Sequence, residues 1–480
     1  MLLRHSALYL LARGVPGVLN VIAVLIYTRF LAPEQYGHFA LVIAAVAFGH
    51  GAFFSWLQMG LARLLPGSDW PVPVFLSTLL AGYGLALPLA TLLTLAAWLW
   101  LPLEQDQQLA WLVLPVLCIW ALFEIHQQLQ AASFRPRRFG LLALSKSLVG
   151  LALGTSLAWM GLGAWGVLLG FMLGMLLPLT AFAWRDWRDV RPALVDRALL
   201  RRLLNYGMPL AATSALALWV DGGDRLLLGW LQGADQAGLY AVGHDLPSYG
   251  VAMLMVIIYL AAYPLVVQAL ERQGPAAAAV QLRGYLVLLL VVAVPAVVLC
   301  VLLAPGIADL LLGAEFRRAG SEIIPWIAVA ALLFGLKNFY LDLAFQLGHG
   351  TQRQLLVMLV VAGANLALNL SWIPDQGYLG AAHAKVGSYA LGVVLSMGLG
   401  RKWFPLPIPW MDIGKIFGAA VGMGWVLWLM GDVRGIWALG VATGASLACY
   451  GGLLWVMDLA GARARLRDLL ARDWNHFRAR

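Results

Sequence analysis

About fourteen long apolar runs constrain this 480-residue chain more than any other feature of its sequence. A helix needs about 20 apolar residues to span a bilayer, and the runs lack the alternation of polar and apolar residues that is typical of spanning β-strands. Only 11% of the residues are charged, whereas about 25% are charged in a soluble domain. The sequence therefore predicts an all-α polytopic membrane protein with about 14 transmembrane helices.

The basic residues are distributed unevenly between alternate loops. If the N-terminus is cytoplasmic, most of the 32 Lys and Arg residues fall in cytoplasmic loops and in the C-terminal tail. The loops on the other side carry only Arg29, Arg317, Arg318 and Arg434. Because cytoplasmic loops of membrane proteins are enriched in Lys and Arg, we expect both termini in the cytoplasm. We attribute the net charge of +9 to this topology and expect no nucleic-acid partner.

Two halves of the chain resemble each other weakly, which predicts an internal repeat. When the stretches that begin near residues 137 and 352 are aligned, Arg138 falls opposite Arg353. Each half also begins with an apolar run that contains a proline, Pro16 or Pro209. Paired repeats with interrupted helices are typical of transporters, and the substrate site is expected between the repeats.

The repeat predicts a division of the chain into five parts. An N-lobe of six helices at 1–183 is joined by a cytoplasmic linker at 184–204 to a C-lobe of six helices at 205–400. Two further helices follow at 401–460, and a cytoplasmic tail occupies 461–480. Leucine and aromatic residues of the tail recur at helical spacing opposite arginines, a pattern typical of a helix that lies on a membrane surface.

Ionisable residues inside the apolar runs are the candidates for function. Each costs ~3 kcal/mol or more in a bilayer, and such residues normally face a bundle interior or a watery cavity. The stretch "DGGDRLLLGW" at 221–230 contains three of them. Because Arg and Lys bind phosphate oxygens directly, we predict a hydrated lumen whose polar residues bind an anionic cargo. The candidate cargo ligands are Arg13, Asn20, Arg225, Lys337 and Lys385.

A second set of intramembrane residues is suited to ion coupling or to charge pairing. These coupling or charge-pair candidates are Glu124, Lys146, Asp221, Asp224, Asp342 and His383. Structural alternatives stay open for several of them. Asp221 and Arg225 are four residues apart and could form a static pair on one helix face, and Lys146 could simply neutralise Glu124. His383 could be a hydrogen-bonded core histidine.

Catalytic and cofactor-binding patterns are missing from the sequence. It has no Walker-type phosphate loop, no HExxH motif and no CxxC pair. Its three cysteines, Cys118, Cys300 and Cys449, lie inside apolar runs, where small buried thiols are common. We therefore expect a chain that is not an enzyme and holds no metal or cofactor, with coupling to an H⁺ or Na⁺ gradient left open.

Three stretches, 10–41, 205–246 and 365–389, resemble the Wzx-type polysaccharide and O-antigen flippases of the multidrug/oligosaccharidyl-lipid/polysaccharide (MOP) superfamily. The most specific part is the order DR, LG, GLY in the second stretch. The resemblance implies two six-helix lobes, often with two further helices, and alternating access. It also implies transfer of an undecaprenyl-diphosphate-linked oligosaccharide, a precursor of O-antigen or exopolysaccharide, across a bacterial inner membrane. By the same resemblance, Arg13 and Arg225 meet the diphosphate.

The resemblance leaves rival functions within and outside the superfamily. A flippase for the peptidoglycan precursor lipid II and a drug/cation antiporter belong to the same superfamily, although the antiporters usually have twelve helices. A membrane-embedded glycan polymerase or glycosyltransferase is an alternative of another class, but such enzymes usually carry a large outer loop. A scaffold of a synthase complex is a third class. The expected partners are the lipid-linked oligosaccharide, membrane lipids and the polysaccharide polymerase or export machinery.

Overall fold

The computed structural model describes the backbone at residues 2–67, 70–100, 107–348 and 350–461. Side chains are described at residues 15–66, 70–96, 109–348, 350, 352–459 and 461. The amphipathic tail predicted at 461–480 therefore lies, beyond its first residue, outside the described residues, as does the side chain of Arg13. Within the described ranges the regular structure is helical throughout.

Nineteen α-helices make up the described structure. The helices up to residue 247 are α1 (Leu2–Phe30), α2 (Pro33–Phe53), α3 (Ser55–Leu64), α4 (Val72–Trp100), α5 (Gln107–Ala110), α6 (Val113–Ala132), α7 (Pro136–Leu157), α8 (Gly163–Trp187), α9 (Arg197–Leu231) and α10 (Ala234–Pro247). The helices that follow are α11 (Met253–Gln273), α12 (Pro275–Leu302), α13 (Ala304–Leu311), α14 (Arg317–Leu336), α15 (Leu343–Leu347), α16 (Thr351–Gln376), α17 (Tyr378–Gly400), α18 (Trp410–Met430) and α19 (Ile436–Val456).

Ten helical stretches among the described residues are long and apolar enough to cross a membrane. The longest, Pro136–Trp187, contains both α7 and α8. Gly161 separates these two helices, because its φ of 91° is a left-handed conformation that glycine adopts easily. The prediction of an all-helical, multi-pass membrane protein is confirmed.

The starts of several helices follow from local sequence. Pro33, Pro136 and Pro275 occupy the first turns of α2, α7 and α12, where a missing N–H is not needed and the fixed φ suits a helix. Asp196 caps α9, because its carboxylate accepts a hydrogen bond of 2.8 Å from the backbone N–H of Leu199. This hydrogen bond holds the pKa of Asp196 below its usual range.

The chain forms two compact units. The first unit comprises Met1–Asp245, Gly313–Phe316 and Met358–Ser388. The second unit comprises Leu246–Leu312, Arg317–Val357 and Tyr389–Arg480.

Close helix packing in the first unit depends on small residues. At the contact of α7 with α8, a β-carbon added to Gly170 would collide with the backbone of Gly154. Small residues at helix interfaces let backbones approach closely inside membranes. A larger residue at Gly170 would therefore force α7 and α8 apart.

The core of the second unit includes the last two helices. Ile416 and Met423 of α18 and Ala442 of α19 are fully buried in the same apolar cluster as Leu282 and Leu289 of α12. The helices α18 and α19 therefore belong to the packed core of this unit.

Candidate functional site

Asp224 on α9 and Lys385 on α17 form a buried ion pair in the first unit. Their side chains are 0% and 2% exposed, and Lys385 Nζ lies 3.0 Å from Asp224 Oδ2. Asp224 also accepts hydrogen bonds from the Tyr240 hydroxyl at 2.9 Å and from Asn369 Nδ2 at 2.8 Å. The carboxylate is therefore held by three donors from α10, α16 and α17. Such saturation is needed because an unpaired charge in an apolar interior is very costly.

Lys385 has an acceptor for each of its three ammonium protons. Besides Asp224, its Nζ lies 2.6 Å from the backbone carbonyl oxygen of Asp221 and 3.0 Å from His244 Nε2. Both the lysine and the histidine are buried. The ammonium is thus fully occupied within the first unit.

Arg225, the residue after Asp224, contacts His244 and Asp245 of α10. It donates a short hydrogen bond to the Asp245 carboxylate, and its NH2 group lies 2.9 Å from His244 Nδ1. His244 Nδ1 is also 3.2 Å from Asp245 Oδ1. The five residues Asp224, Arg225, His244, Asp245 and Lys385 are hereafter called the buried charge cluster.

Asp221 differs from the cluster in its exposure. Its side chain is 63% exposed, and its Oδ1 lies 4.0 Å from His244 Nε2. The i,i+4 spacing of Asp221 and Arg225 on α9 gave no indication of the ion pair that Arg225 makes with Asp245. That ion pair joins two helices, and only their packing reveals it.

Lys337 and Asp342 form a second buried ion pair, in the second unit. A π-helical turn at Lys337–Leu341 follows α14, and Lys337 Nζ lies 2.8 Å from Asp342 Oδ2 with side-chain exposures of 1% and 0%. Ser396 Oγ donates to Asp342 Oδ1 at 2.7 Å, and Gln354 Nε2 lies 3.4 Å from Asp342 Oδ2. The lysine predicted as a cargo ligand is therefore enclosed by its own unit in this structure.

Lys146 and Glu124 form a third pair, in the first unit, which is partly exposed. Lys146 Nζ lies 3.5 Å from Glu124 Oε1, with side-chain exposures of 22% and 27%. The same Nζ lies 5.1 Å from the ring centre of Trp120, 5.0 Å from that of Phe123 and 5.8 Å from that of Phe171. Lys146 and Glu124 are thus paired, with additional cation–π attraction between Lys146 and the three rings.

Three further predicted residues are His383, Asn20 and Arg13. A ring nitrogen of His383 is 2.9 Å from Gln376 Oε1, and the histidine is partly exposed. Asn20 is exposed on α1. Arg13 lies on the same helix, but its side chain is outside the described part.

The sequence interpretation overlooked several polar partners of the cluster. Asn365 and Asn369 on α16 are fully buried, and Asn369 holds Asp224. Two asparagines at i,i+4 in the apolar stretch "NLALNL" share a helix face, and this spacing was the available signal. Among the described residues, no group of three His, Cys, Asp or Glu side chains is placed to hold a metal ion.

Solved structures define the class of the fold. The structure of "Lipid II flippase MurJ, inward closed conformation" is similar with a TM-score of 0.75 and 14% identity, and the match covers 96% of this chain and 98% of that chain. An inward-facing multidrug resistance MATE family transporter of the MOP superfamily matches with a TM-score of 0.59 and 15% identity, over 81% of this chain and 94% of that one. An outward-facing structure of such a transporter matches with a TM-score of 0.50 and 16% identity, over 83% and 94%. The chain shares the fold of these transporter structures.

The sequence itself identifies the family. Residues 26–320 match the model of a family described as "Polysaccharide biosynthesis protein". The chain belongs to this polysaccharide biosynthesis family. No curated protein sequence matches it.

Proposed function

We propose that this chain is a flippase that moves an undecaprenyl-diphosphate-linked oligosaccharide across the inner membrane of a bacterium by alternating access. The observation that carries the proposal is a polysaccharide-biosynthesis sequence on the fold of MOP transporters. The partners are the lipid-linked oligosaccharide and membrane lipids, with the polysaccharide polymerase or export machinery next in the process.

The proposal gives the chain fourteen spans. Ten membrane-crossing stretches occur among the described residues, and one of them contains two helices. The long helices α1, α6 and α17 supply three more. We group the spans into an N-lobe at 1–183 and a C-lobe at 205–400, joined by 184–204, with α18 and α19 as additional helices. The positive-inside pattern favours cytoplasmic termini.

The family description and the coverage of the matches favour this function over its rivals. The MATE structures match 81% and 83% of this chain, whereas the lipid II flippase structure matches 96%. A twelve-helix drug antiporter accounts less well for a chain of this length. Lipid II remains the second candidate cargo because that flippase matches nearly the whole fold, but the polysaccharide family favours an oligosaccharide for export.

The proposed cargo ligands differ in how accessible they are. Asn20 is exposed, and Arg225 is 13% exposed beside Asp245. Lys337 and Lys385 are enclosed by carboxylates, so contact with a diphosphate requires their ion pairs to open. We therefore propose Arg13, Asn20 and Arg225 as the first ligands of the diphosphate, and the two lysines only in a conformation in which their pairs are broken.

Flipping in liposomes tests the proposal. Purified protein is reconstituted with a fluorescently labelled polyprenyl-diphosphate-linked oligosaccharide, and dithionite bleaches the label in the outer leaflet. We expect the label that is protected in protein-free liposomes to become accessible. Arg13→Ala and Arg225→Ala should each slow flipping by about tenfold or more, because a hydrogen bond to a charged group contributes about 1.5–3 kcal/mol.

Parallel probes separate the rivals. Labelled lipid II tests the peptidoglycan-precursor flippase, and ethidium efflux tests the drug antiporter. If the protein moves ethidium or lipid II but not the diphosphate-linked oligosaccharide, the proposed cargo is wrong. If Arg13→Ala and Arg225→Ala both flip at the wild-type rate, the anionic-cargo argument fails.

A further inference from the structure

We propose that the buried charge cluster is a proton-binding site that releases and takes up one proton, through Lys385 and a tautomer change of His244. The inference rests on the proposed function only for its role in transport, since the site itself is defined by the hydrogen bonds of the first unit. The cluster draws its residues from α9, α10 and α17, which are separate in sequence.

The geometry around His244 places two obligatory donors against one neutral imidazole. Lys385 Nζ is 3.0 Å from Nε2, and Arg225 NH2 is 2.9 Å from Nδ1. An ammonium and a guanidinium only donate, whereas a neutral imidazole has one donor nitrogen and one acceptor nitrogen. Both contacts therefore cannot be hydrogen bonds while Lys385 carries its full set of protons.

Two protonation states resolve this conflict. In the protonated state, the Lys385 ammonium donates to Nε2, and the Nδ1–H of His244 donates to Asp245 Oδ1, which lies 3.2 Å away. In the deprotonated state, Lys385 is a neutral amine that accepts from Nε2–H, and Nδ1 accepts from Arg225. The imidazole carries one proton in each state, on different nitrogens. Between the two states the lysine gives one proton to Nε2 and the Nδ1 proton leaves to water, so the cluster releases one proton in total.

The charges balance only in the protonated state. With Lys385 charged, the two carboxylates of Asp224 and Asp245 are matched by the cations of Lys385 and Arg225, and His244 is neutral. Loss of the lysine proton leaves one net negative charge in a buried site. Because uncompensated buried charge is costly, the protonated state is favoured at neutral pH, and we expect release as the pH rises or when the cluster opens to water.

Two further described groups that face His244, Tyr240 and Asp221, fit this scheme. Tyr240 on the same helix has its ring centre 5.7 Å from that of His244 and donates to Asp224. Asp221 is 63% exposed, with its carboxylate 4.0 Å from Nε2. Because an exposed carboxylate in a spanning helix is tolerated only where water reaches it, Asp221 gives the proton a route between water and the cluster.

Nitrogen NMR of the histidines tests the site without any transport. Protein with ¹⁵N-labelled histidine is titrated from about pH 5 to about pH 11, a range that spans the ordinary pKa values of His and of the lysine amine. We expect one histidine signal, lost in His244→Gln, to change from the Nδ1–H to the Nε2–H tautomer as the pH rises. His38→Gln, on α2, serves as the control and should keep this signal.

Lys385→Arg is the decisive variant, because a guanidinium does not deprotonate in proteins. It should hold His244 in the Nδ1–H tautomer throughout the titration. In the flipping assay, the wild-type rate should change with pH by about tenfold per unit across the transition, and the variant rate by less than about twofold.

Two results would overturn the proton site: a His244 tautomer that stays constant in the wild-type protein, or the same titration in Lys385→Arg. A tautomer change in a protein that flips no diphosphate-linked oligosaccharide would instead preserve the site and refute the proposed cargo. The two proposals therefore fail separately.

Discussion

Removal of Asp342 is the perturbation that most directly tests the electrostatics of the second unit. Asp342→Ala leaves the Lys337 ammonium buried at 1% side-chain exposure without its carboxylate partner, which lies 2.8 Å away in the wild-type protein. The substitution also removes the acceptor of the 2.7 Å hydrogen bond from Ser396. Both losses occur where water does not reach the side chains.

The expected magnitude follows from these contacts. Removal of one partner of a buried ion pair costs about 3–5 kcal/mol, and loss of the Ser396 hydrogen bond adds about 1 kcal/mol. We therefore expect Asp342→Ala to lower the free energy of unfolding by about 4–6 kcal/mol. Lys337→Met should cost less, about 3 kcal/mol, because Ser396 and Gln354 still donate to the carboxylate.

The double variant Lys337→Met/Asp342→Leu removes both charges, so it shows whether the attraction within the ion pair outweighs the cost of burying the two charges. Replacement of a buried ion pair by apolar residues of similar volume is often neutral or stabilising. We expect the double variant to unfold within about 2 kcal/mol of the wild-type protein, well short of the sum of the single losses.

Denaturant unfolding in detergent micelles, followed by tryptophan fluorescence, measures these differences. Arg318→Ala, on α14 of the same unit, is the control, because Arg318 is 90% exposed and pairs with Glu322 at 3.2 Å. Its effect should stay below about 1 kcal/mol. The argument would be refuted if the double variant lost as much stability as the two single variants together. It would also be refuted if Asp342→Ala were as stable as the control.

The same variants decide how Lys337 acts in transport. If its ammonium serves only the ion pair, the double variant folds and flips the labelled oligosaccharide. If Lys337 contacts the diphosphate when the pair opens, the double variant folds but does not flip. We expect the second outcome, because we propose Lys337 as a ligand of the diphosphate in the conformation in which its ion pair is broken.

Two further predictions concern helix packing and capping. Gly170→Ala should lower the free energy of unfolding by about 1–3 kcal/mol, because the added β-carbon overpacks the contact with Gly154. Gly84→Ala, in open space on α4, should leave the free energy of unfolding unchanged or raise it by up to about 1 kcal/mol. Equal denaturant midpoints for the two variants would contradict this prediction. Helix capping lowers the pKa of Asp196 in the folded state. The contribution of the ionised cap to the free energy of unfolding is therefore present above the unfolded-state pKa, and it is lost as the pH falls through the folded-state pKa, below about pH 4. The acid-dependent part of the wild-type unfolding curve should therefore shrink in Asp196→Asn, and identical acid sensitivity of the two proteins would exclude the cap as its source.

The sequence by itself determined the class of the fold. Long apolar runs must satisfy their backbone polar groups internally in lipid, and helices do this within one segment. Prolines at the first turns and the Asp196 cap favour helix starts through contacts with neighbouring residues, so these helix starts can also be predicted from the sequence. The composition of the runs also indicated which residues would be costly unless paired, and Lys337, Lys385, Asp224 and Asp342 are all buried and paired in the structure.

The tertiary structure alone decided the partners of these charges. The i,i+4 rule compares positions on one helix. It therefore could not predict the pairing of Arg225 with Asp245, or that of Lys385 with Asp224 and His244. Those contacts depend on which helices are neighbours and on the rotation of each helix about its axis. Rotation and neighbourhood are set by packing across many residues, and this is why the buried charge cluster, unlike the helices that carry it, emerged only from the folded structure.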